Sequence, residues 1–262
     1  MNDREKKIID NINLYVMDLD GTIYVSNKMI DGSLDFINKL KKENKKFCFF
    51  TNNDSKASYE FMKRLENMGI KIESENFYTA GLATIDYLND KFNGKKVYLM
   101  GTESLKKEFI AHGINLVDTD PEIVVVSYDT EITYEKLDRT CHYIRNGAYY
   151  IATHPDYNCP TSYGYAPDLG SYIALIKQST GRMPDLLNGK PNKALGDIIC
   201  KRFNEKPENV AMIGDRLMTD MQFAINCNFT SILTLSGEST IEDLKSSGLN
   251  VSMVINSVKD LI

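Results

Sequence analysis

Eight short apolar runs alternate with helical patterns along most of this chain, and this alternation constrains the fold more than any other feature. The runs, rich in β-branched and aromatic residues, cover residues 14–17, 46–50, 97–100, 123–127, 148–152, 210–213, 231–235 and 251–255. Between most of them, apolar residues recur at helical spacing, as at Phe61, Leu65 and Met68. Strands that alternate with helices predict an α/β fold with a mostly parallel, doubly wound sheet.

The length of the chain and the places of its polar motifs suggest two domains. The 262 residues suffice for one large domain or two modest ones. The motifs described below lie only in the first and last parts of the chain, whereas the middle has its own strands and helices and is rich in tyrosine. We therefore predict a split core of residues 1–78 and 185–262, with a second α/β domain of residues 79–184 inserted into it.

Composition excludes several classes of protein. The chain has 31 Lys and Arg against 36 Asp and Glu, a net charge of −5, which is the wrong sign for a broad nucleic-acid-binding face. Residues 1–10 are charged and contain no apolar run resembling a secretory signal, and no run approaches the ~20 apolar residues of a membrane span. We expect no nucleic-acid or membrane partner and a cytoplasmic location. The five cysteines lack a Cys-x-x-Cys spacing, which argues against a structural zinc site or a disulfide framework.

Two acidic residues follow the first apolar run directly, in the stretch Asp18-Leu19-Asp20-Gly21-Thr22. The ligand crevice of a doubly wound fold borders the carboxyl ends of its strands, and side chains two residues apart on an extended chain point the same way. Asp18 and Asp20 would therefore meet there, where their charges call for a divalent cation. Aspartates are also common in turns after strands, which is the structural alternative.

Neutral polar groups follow the second run as Thr51-Asn52-Asn53. Such groups hydrogen-bond phosphate oxygens without adding charge, although the same residues would also suit a loop or a helix cap. Further along, Lys190 stands between a glycine and a proline. It could neutralise both a phosphoryl group and a nearby carboxylate, or it could be a solvated loop lysine.

Asp215 and Asp220 follow another apolar run, with a helical pattern behind them. Asp215 is placed to complete a magnesium site, because Mg²⁺ prefers a few carboxylates together with waters and substrate oxygens. Asp220 could favour the start of a helix, or it could orient water and Lys190. The strand ends together offer a nucleophile, neutral anchors, a cation and a metal ligand.

At these residues the chain resembles the haloacid dehalogenase-like (HAD) phosphohydrolases. The four motifs of that family match Asp18-Leu19-Asp20-Gly21-Thr22, Thr51, Lys190, and Gly214-Asp215 with Asp220. Four segments have sequences similar to those of the NagD-like or p-nitrophenylphosphatase-like branch: residues 18–24, 51–53, 189–191 and 214–217. The resemblance covers essentially the whole chain, and it implies a Rossmann-like core with a large α/β cap inserted between the second and third motifs.

The resemblance also implies a role for each motif. Asp18 would attack phosphorus to form an aspartyl-phosphate, and Asp20 would protonate the leaving group and then activate water. Mg²⁺ would be bound by Asp18, the backbone carbonyl of Asp20, and Asp215. The residues expected to hold or support the phosphoryl group are Thr51, Asn52 and Lys190, with Asn53 and Asp220 behind them.

The cap loop departs from the wording of this branch, which commonly reads Thr-Asn-Pro-Asp followed by a glycine-rich turn. His154 stands where Asn is usual, two residues before Asp156, and Asp168 stands where Gly is usual. These three residues are candidates for substrate contact, and the added acid could favour a hydroxyl-rich or amine-bearing leaving group. His154 could equally be a loop residue that packs against Tyr157.

We therefore expect a Mg²⁺-dependent phosphatase that acts on small phosphorylated metabolites, such as sugar phosphates or nucleoside monophosphates, and on p-nitrophenyl phosphate in vitro. A metal-dependent glycosyltransferase would explain Asp18 and Asp20 but not Lys190 or Asp215. A phospho-accepting receiver domain would leave the middle of the chain unexplained. The tyrosines of the cap could supply a homodimer interface.

Overall fold

The computed structural model describes residues 3–161 and 163–262 of the chain. The α-helices are α1 (Asp3–Asp10), α2 (Ser33–Lys42), α3 (Ser58–Asn67), α4 (Ala80–Lys91), α5 (Glu103–Ala111), α6 (Tyr134–Arg145), α7 (Leu169–Thr180), α8 (Lys193–Phe203), α9 (Gln222–Cys227) and α10 (Ile241–Ser247). The strands are β1 (Leu14–Met17), β2 (Tyr24–Val25), β3 (Lys28–Met29), β4 (Lys46–Thr51), β5 (Phe77–Thr79), β6 (Val97–Met100), β7 (Ile123–Val126), β8 (Tyr149–Ala152), β9 (Asn158–Thr161), β10 (Gly164–Pro167), β11 (Leu186–Leu187), β12 (Val210–Gly214), β13 (Thr230–Thr234) and β14 (Met253–Ile255). A π-helical turn at Leu217–Met221 precedes α9.

The chain forms two compact units. The first unit comprises the residues up to 51 together with 62–78 and 190–262, and the second comprises 52–61 and 79–189. In the first unit, a six-stranded sheet has the order β14-β13-β12-β1-β4-β5. Strand β1 is completely buried and pairs in parallel with β12 on one side and β4 on the other. Parallel strands buried on both faces read as continuous apolar runs, as the sequence does here.

The second unit contains a four-stranded parallel sheet of order β11-β8-β7-β6. Alternate residues of its strands enter two separate apolar clusters, because successive side chains of a strand point to opposite faces. Tyr98 and Val124 pack with residues of α6 and α7, whereas Leu99 and Val125 pack with residues of α4 and α5. The predicted fold class, a parallel α/β core with an inserted α/β domain, is confirmed.

The second unit is larger than the insert predicted from the sequence, which ran from 79 to 184. Hydrogen bonds explain why the segment 52–61 belongs to it. The Ala57 N–H donates to Ser104 Oγ at 2.9 Å, and the Ser58 N–H donates to Glu108 Oε1 at 2.9 Å. At the other end, β11 pairs in parallel with β8 and carries residues 186–187 into the same sheet.

The antiparallel hairpin of β9 and β10 exposes Tyr163 and Tyr165. Their use in a homodimer stays a prediction. The five cysteines are free thiols. Within the part of the chain that the structure describes, each helix is too short or too polar to cross a membrane.

Candidate active site

Three of the predicted site residues lie at the carboxyl ends of neighbouring strands in the first unit. Asp18 follows β1, Thr51 ends β4, and Asp215 follows β12. Because β1 lies between β4 and β12 in a parallel sheet, these ends share one edge. All three side chains are buried. The sheet order thus brings together motifs that are far apart in the sequence.

Lys190 joins this edge as a buried cation. Its Nζ donates hydrogen bonds to Asp18 Oδ1 at 2.7 Å, to Asp220 Oδ1 at 2.6 Å and to the Phe50 carbonyl oxygen at 2.9 Å. Burial lowers the pKa of Lys190, but the charges of Asp18 and Asp220 outweigh it and raise the pKa above its ordinary value. The side chain is therefore a fixed positive charge between two carboxylates.

Asp220 is held at both carboxylate oxygens. Besides the bond from Lys190, Asp220 Oδ2 accepts the backbone N–H of Arg216 at 3.1 Å. Its carboxylate packs directly over Gly214, where a Cβ atom would have no room. Asp220 lies in the π-helical turn before α9. It is therefore close to the start of a helix and also contacts Lys190.

Asp215 has one satisfied and one unsatisfied oxygen. Its Oδ2 accepts the Glu238 N–H at 2.7 Å, whereas its Oδ1 is buried without a hydrogen-bond partner. Gly21, at φ +84°, lies against the same carboxylate and leaves no space for a side chain there. Ligand oxygens of Asp18, Asp215 and Asp220 all lie within 4.8 Å of one another.

The electrostatics of this group, which we call the lysine cluster (Lys190, Asp18, Asp215 and Asp220), favour an additional cation. Burial raises the pKa of Asp18 well above its ordinary value, opposed by Lys190 and reinforced by Asp220 and Asp215. Burial and the Asp220 charge raise the pKa of Asp215 to about 7. One lysine does not balance three carboxylates, and oxygen donors suit a hard divalent cation. The residues therefore fit a metal ion of this kind.

Asp20 lies outside the carboxylate cluster. Burial raises the pKa of Asp20, while the charges of Arg64 and Arg216 lower it. The Arg64 guanidinium stacks 4.2 Å above the ring of Tyr24 in the adjoining hairpin. The resemblance assigns Asp20 to the metal through its backbone carbonyl, and its carboxyl group is left for proton transfer.

The remaining predicted residues lie in the second unit. Asn52 Nδ2 is 3.3 Å from Asp156 Oδ2, and Asn53 Oδ1 accepts the Ser55 hydroxyl at 2.8 Å. His154 and Asp168 are buried, whereas Tyr157, the alternative packing partner named for His154 above, is exposed. Contact of His154 with a substrate would require its loop to move. The phosphate-binding role of Asn52 and the substrate roles of the cap residues stay predictions.

Sequence reasoning missed Asp54, which is completely buried. Its Oδ1 accepts the Tyr128 N–H at 3.0 Å and lies 3.6 Å from His154 Nε2. Nothing in the sequence predicts these contacts beyond the position of Asp54 directly after Asn52-Asn53. Both of its partners are distant along the chain, so local pattern could not identify them.

Known proteins resemble this chain along nearly its full length. Residues 15–115 match the family described as haloacid dehalogenase-like hydrolase, and residues 187–261 match a second family described as HAD-hydrolase-like. An acid sugar phosphatase of Staphylococcus saprophyticus is 31% identical over 253 residues, which cover 96% of this chain and 97% of that protein.

Solved structures agree with this relationship. The 4-nitrophenylphosphatase of Thermotoga maritima is 41% identical with a TM-score of 0.94, covering 97% of each chain. NagD from E. coli K-12 is 27% identical with a TM-score of 0.86, covering 95% of this chain and 98% of that one. Phosphatases of this family generally use a divalent metal, in agreement with the lysine cluster. The chain therefore belongs to the haloacid dehalogenase-like hydrolases, in the branch of NagD and the p-nitrophenylphosphatases, and is a phosphatase.

Proposed function

We propose that this phosphatase hydrolyses small phosphomonoesters, sugar phosphates among them, with Mg²⁺ as its cofactor and an aspartyl-phosphate on Asp18 as its intermediate. One observation carries the proposal: a buried lysine holds Asp18, and the unpartnered Oδ1 of Asp215 lies in the same cluster. The similarity to an acid sugar phosphatase and to a 4-nitrophenylphosphatase supports the substrate class.

Asp18 is the nucleophile in this mechanism. Lys190 fixes one of its oxygens at 2.7 Å, and its second oxygen attacks phosphorus as the bond to the leaving alkoxide breaks. Water then attacks the aspartyl-phosphate, which releases inorganic phosphate and regenerates the carboxylate. Splitting the hydrolysis into two displacements replaces one difficult step by two easier ones.

The metal would be held by Asp18, the backbone carbonyl of Asp20, and Asp215. Asp220 is less suited as a direct ligand, because Lys190 and the Arg216 N–H already occupy its two oxygens. Bound Mg²⁺ would supply positive charge that keeps the carboxylates ionised and offsets the charge of the phosphoryl group. Two residues of this chain, Lys190 and Thr51, would bind the phosphoryl oxygens.

Asp20 is the general acid and base. Its raised pKa, which burial causes, favours a carboxyl group that can carry a proton to the leaving oxygen. After that transfer the carboxylate can accept a proton from the attacking water. Arg64 and Arg216 limit the rise of the pKa, so the group stays able to release its proton.

The nucleophile is tested by Asp18→Asn, measured as phosphate release from p-nitrophenyl phosphate. We expect kcat to fall by at least about 10³-fold, because a nucleophile is lost. Asp129→Asn is the matched control, since Asp129 is also buried and paired with a lysine, Lys136 Nζ at 2.8 Å, in the second unit. Turnover by Asp18→Asn equal to that of the control would exclude Asp18 as the nucleophile.

The cofactor is tested by removing and restoring metal. We expect EDTA to abolish phosphate release and Mg²⁺ to restore it, and we expect calorimetry to detect Mg²⁺ binding that Asp215→Asn abolishes. Activity that survives exhaustive chelation would contradict the metal requirement.

The substrate class is tested by a panel of sugar phosphates, nucleoside monophosphates and p-nitrophenyl phosphate. Specificity is the ratio of kcat/KM values. We expect the highest kcat/KM of the panel for a sugar phosphate. A preference of tenfold or more for nucleoside monophosphates over every sugar phosphate would overturn this part of the proposal and leave the phosphatase activity intact.

A further inference from the structure

The second unit buries a histidine among three carboxylates. His154 Nε2 lies 3.6 Å from Asp54 Oδ1 and 3.6 Å from Asp168 Oδ1, and His154 Nδ1 lies 3.9 Å from Asp156 Oδ2. Burial lowers the pKa of His154, but the charges of Asp168, Asp54 and Asp156 outweigh it and raise the pKa to about 9. The ring is therefore a cation at neutral pH. We call these four residues the histidine cluster.

Each carboxylate of the histidine cluster also binds a separate segment of the second unit. Asp54 Oδ1 accepts the Tyr128 N–H just beyond β7 at 3.0 Å, and Asp168 Oδ1 accepts the first N–H of α7 at 2.6 Å. Asp156 Oδ1 and Oδ2 lie 3.4 and 3.3 Å from Asn52 Nδ2. The charge of the histidine thus lies among the carboxylates that contact a loop, a strand end and a helix start.

Two of the chain connections between the units run next to the proposed phosphate-binding residues. Asn52 is the first residue of the second unit after Thr51, and Gly189 is its last residue before Lys190. A single peptide bond joins Thr51 to Asn52, and another joins Gly189 to Lys190.

Within the second unit, both ends pack against residues of the histidine cluster: Asn52 lies against Asp156, and Gly189 lies against His154 and its neighbour Thr153. The Gly189 N–H donates to the Thr153 carbonyl oxygen at 2.6 Å. A Cβ atom on Gly189 would lie 2.6 Å from His154 Cβ and 2.7 Å from Asn52 Oδ1. Such distances are below normal contact, so these residues are packed without room for a methyl group.

We propose that the histidine cluster is a positioning device for Thr51 and Lys190, because it fixes the two segments from which these residues continue. The inference rests on the proposed function, in which that pair binds the phosphoryl group. His154 acts through other residues and does not touch the substrate, since its side chain has no exposed surface.

At two positions this chain departs from the residue that is usual in its branch, and both positions belong to the histidine cluster. His154 stands in place of the usual Asn and Asp168 in place of the usual Gly, and the structure puts the two side chains in contact. Asp168 without His154 would add a third buried carboxylate to Asp54 and Asp156 with no cation among them, which is costly. The two residues should therefore be energetically coupled.

The test uses His154→Gln, Asp168→Asn and the double variant, with p-nitrophenyl phosphate as the substrate and inorganic phosphate as the binding probe. We expect His154→Gln to lower kcat by about 10- to 100-fold, because small misplacements of binding groups cost rates of this size. The inhibition constant of phosphate should rise at least about fivefold. The double variant should be several-fold more active than the product of the single effects predicts.

Lys136→Gln is the matched control, because it removes the cation that pairs with another buried carboxylate of the second unit, Asp129. We expect it to lower thermal stability while kcat and the inhibition constant of phosphate stay within twofold of the wild type. Hydrogen exchange followed by mass spectrometry adds a readout that does not need activity. Peptides that span 52–56 and 186–191 should exchange faster together in His154→Gln and unchanged in Lys136→Gln.

Wild-type kinetics, phosphate inhibition and exchange in folded His154→Gln would overturn the inference, as would an equal loss in Lys136→Gln. If His154→Gln does not fold, Asp168→Asn carries the same measurements with a smaller expected loss, and wild-type values for it would be equally decisive. A wild-type protein that releases no phosphate would contradict the proposed function instead, and the exchange of the two segments would still decide whether the cluster fixes them.

Discussion

Each unit buries one cation among three carboxylates, but the lysine cluster and the histidine cluster are built differently. In the lysine cluster, Lys190 Nζ donates hydrogen bonds of 2.7 and 2.6 Å to Asp18 and Asp220. In the histidine cluster, the ring nitrogens of His154 stay 3.6 to 3.9 Å from the carboxylate oxygens. The first arrangement is directional and the second acts through charge at longer range.

The difference shows that the number of charges does not decide what a buried cluster does. Among the described residues, only Asp18, Asp215 and Asp220 bring three metal-ligating atoms within 4.8 Å of one another. The carboxylates of the histidine cluster instead accept backbone or amide N–H groups from separate segments. Spacing therefore suits the lysine cluster to an added metal and a phosphoryl group, and the histidine cluster to holding its own unit together.

The largest expected effect is the loss of the lysine. Lys190→Met should lower kcat for p-nitrophenyl phosphate by at least about 10³-fold, because it removes a charge from the developing transition state. It should also destabilise the protein by about 3–5 kcal/mol, since two buried carboxylates lose their partner. Steady-state kinetics and urea unfolding measure both. A kcat loss no greater than that of His154→Gln would abolish the distinction between the clusters.

The residues of the lysine cluster were predictable from the sequence because strand ends in a parallel sheet share one edge. Asp18 and Asp215 of this cluster each follow an apolar run, as Thr51 beside them ends one, and the runs were visible as such. The histidine cluster was not predictable as a unit. Asp54 and His154 lie on loops, and only the packing of the second unit brings them together.

The fold shows the same division between local and distant signals. All eight predicted strands are present within a residue or two, because buried parallel strands have continuous apolar runs. The sequence missed six short strands of the described residues, β2, β3, β5, β9, β10 and β11. Of these, β9 and β10 contain Pro160 and Pro167 and are largely exposed. Proline and partial exposure are typical of loops as well as of edge strands. The boundary of the second unit was also missed, since side-chain hydrogen bonds attach 52–61 to it.

The second prediction separates the clusters by pH in the metal-free protein. The pKa of His154 is raised from 6.5 to about 9, so the folded state holds this proton more tightly than the unfolded chain. The stabilisation is complete below pH 6.5 and is lost as pH rises through 9, by about 3 kcal/mol. Urea unfolding across this range should show the decline in the wild type and lose it in His154→Gln.

The contribution of the lysine cluster to stability should change in a lower pH range. The pKa of Asp215 is raised from 3.8 to about 7, so without metal the folded state binds a proton that the unfolded chain has released. Stability should fall as pH rises from 3.8 to 7, and Asp215→Asn should reduce this slope to the part that comes from Asp168, whose pKa burial raises to about 6. Mg²⁺ should oppose the fall, because it binds ionised carboxylates. A single decline common to both variants would mean that neither cluster titrates as assigned.

The smallest effects come from adding one methyl group to each cluster. In Gly214→Ala the new Cβ would strike the Asp220 carboxylate, and in Gly189→Ala it would strike His154, Asn52 and the backbone of Thr153. We expect kcat to fall by about 100-fold for Gly214→Ala, because it displaces a residue that is bonded to Lys190. For Gly189→Ala we expect a fall of about tenfold, because it displaces residues of the histidine cluster, which act on the phosphate-binding residues indirectly. The phosphate inhibition constant should rise in both.

Gly94→Ala is the control for these two variants, because nothing lies within 4 Å of its Cβ position and only its φ of +78° opposes a side chain. It should cost about 1 kcal/mol of stability and leave kcat unchanged. The order of the two losses discriminates between the clusters, because displacing Asp220, which is bonded directly to Lys190, should disturb phosphate binding more than displacing residues of the histidine cluster. A larger kcat loss in Gly189→Ala than in Gly214→Ala would mean that the second unit contributes directly to catalysis.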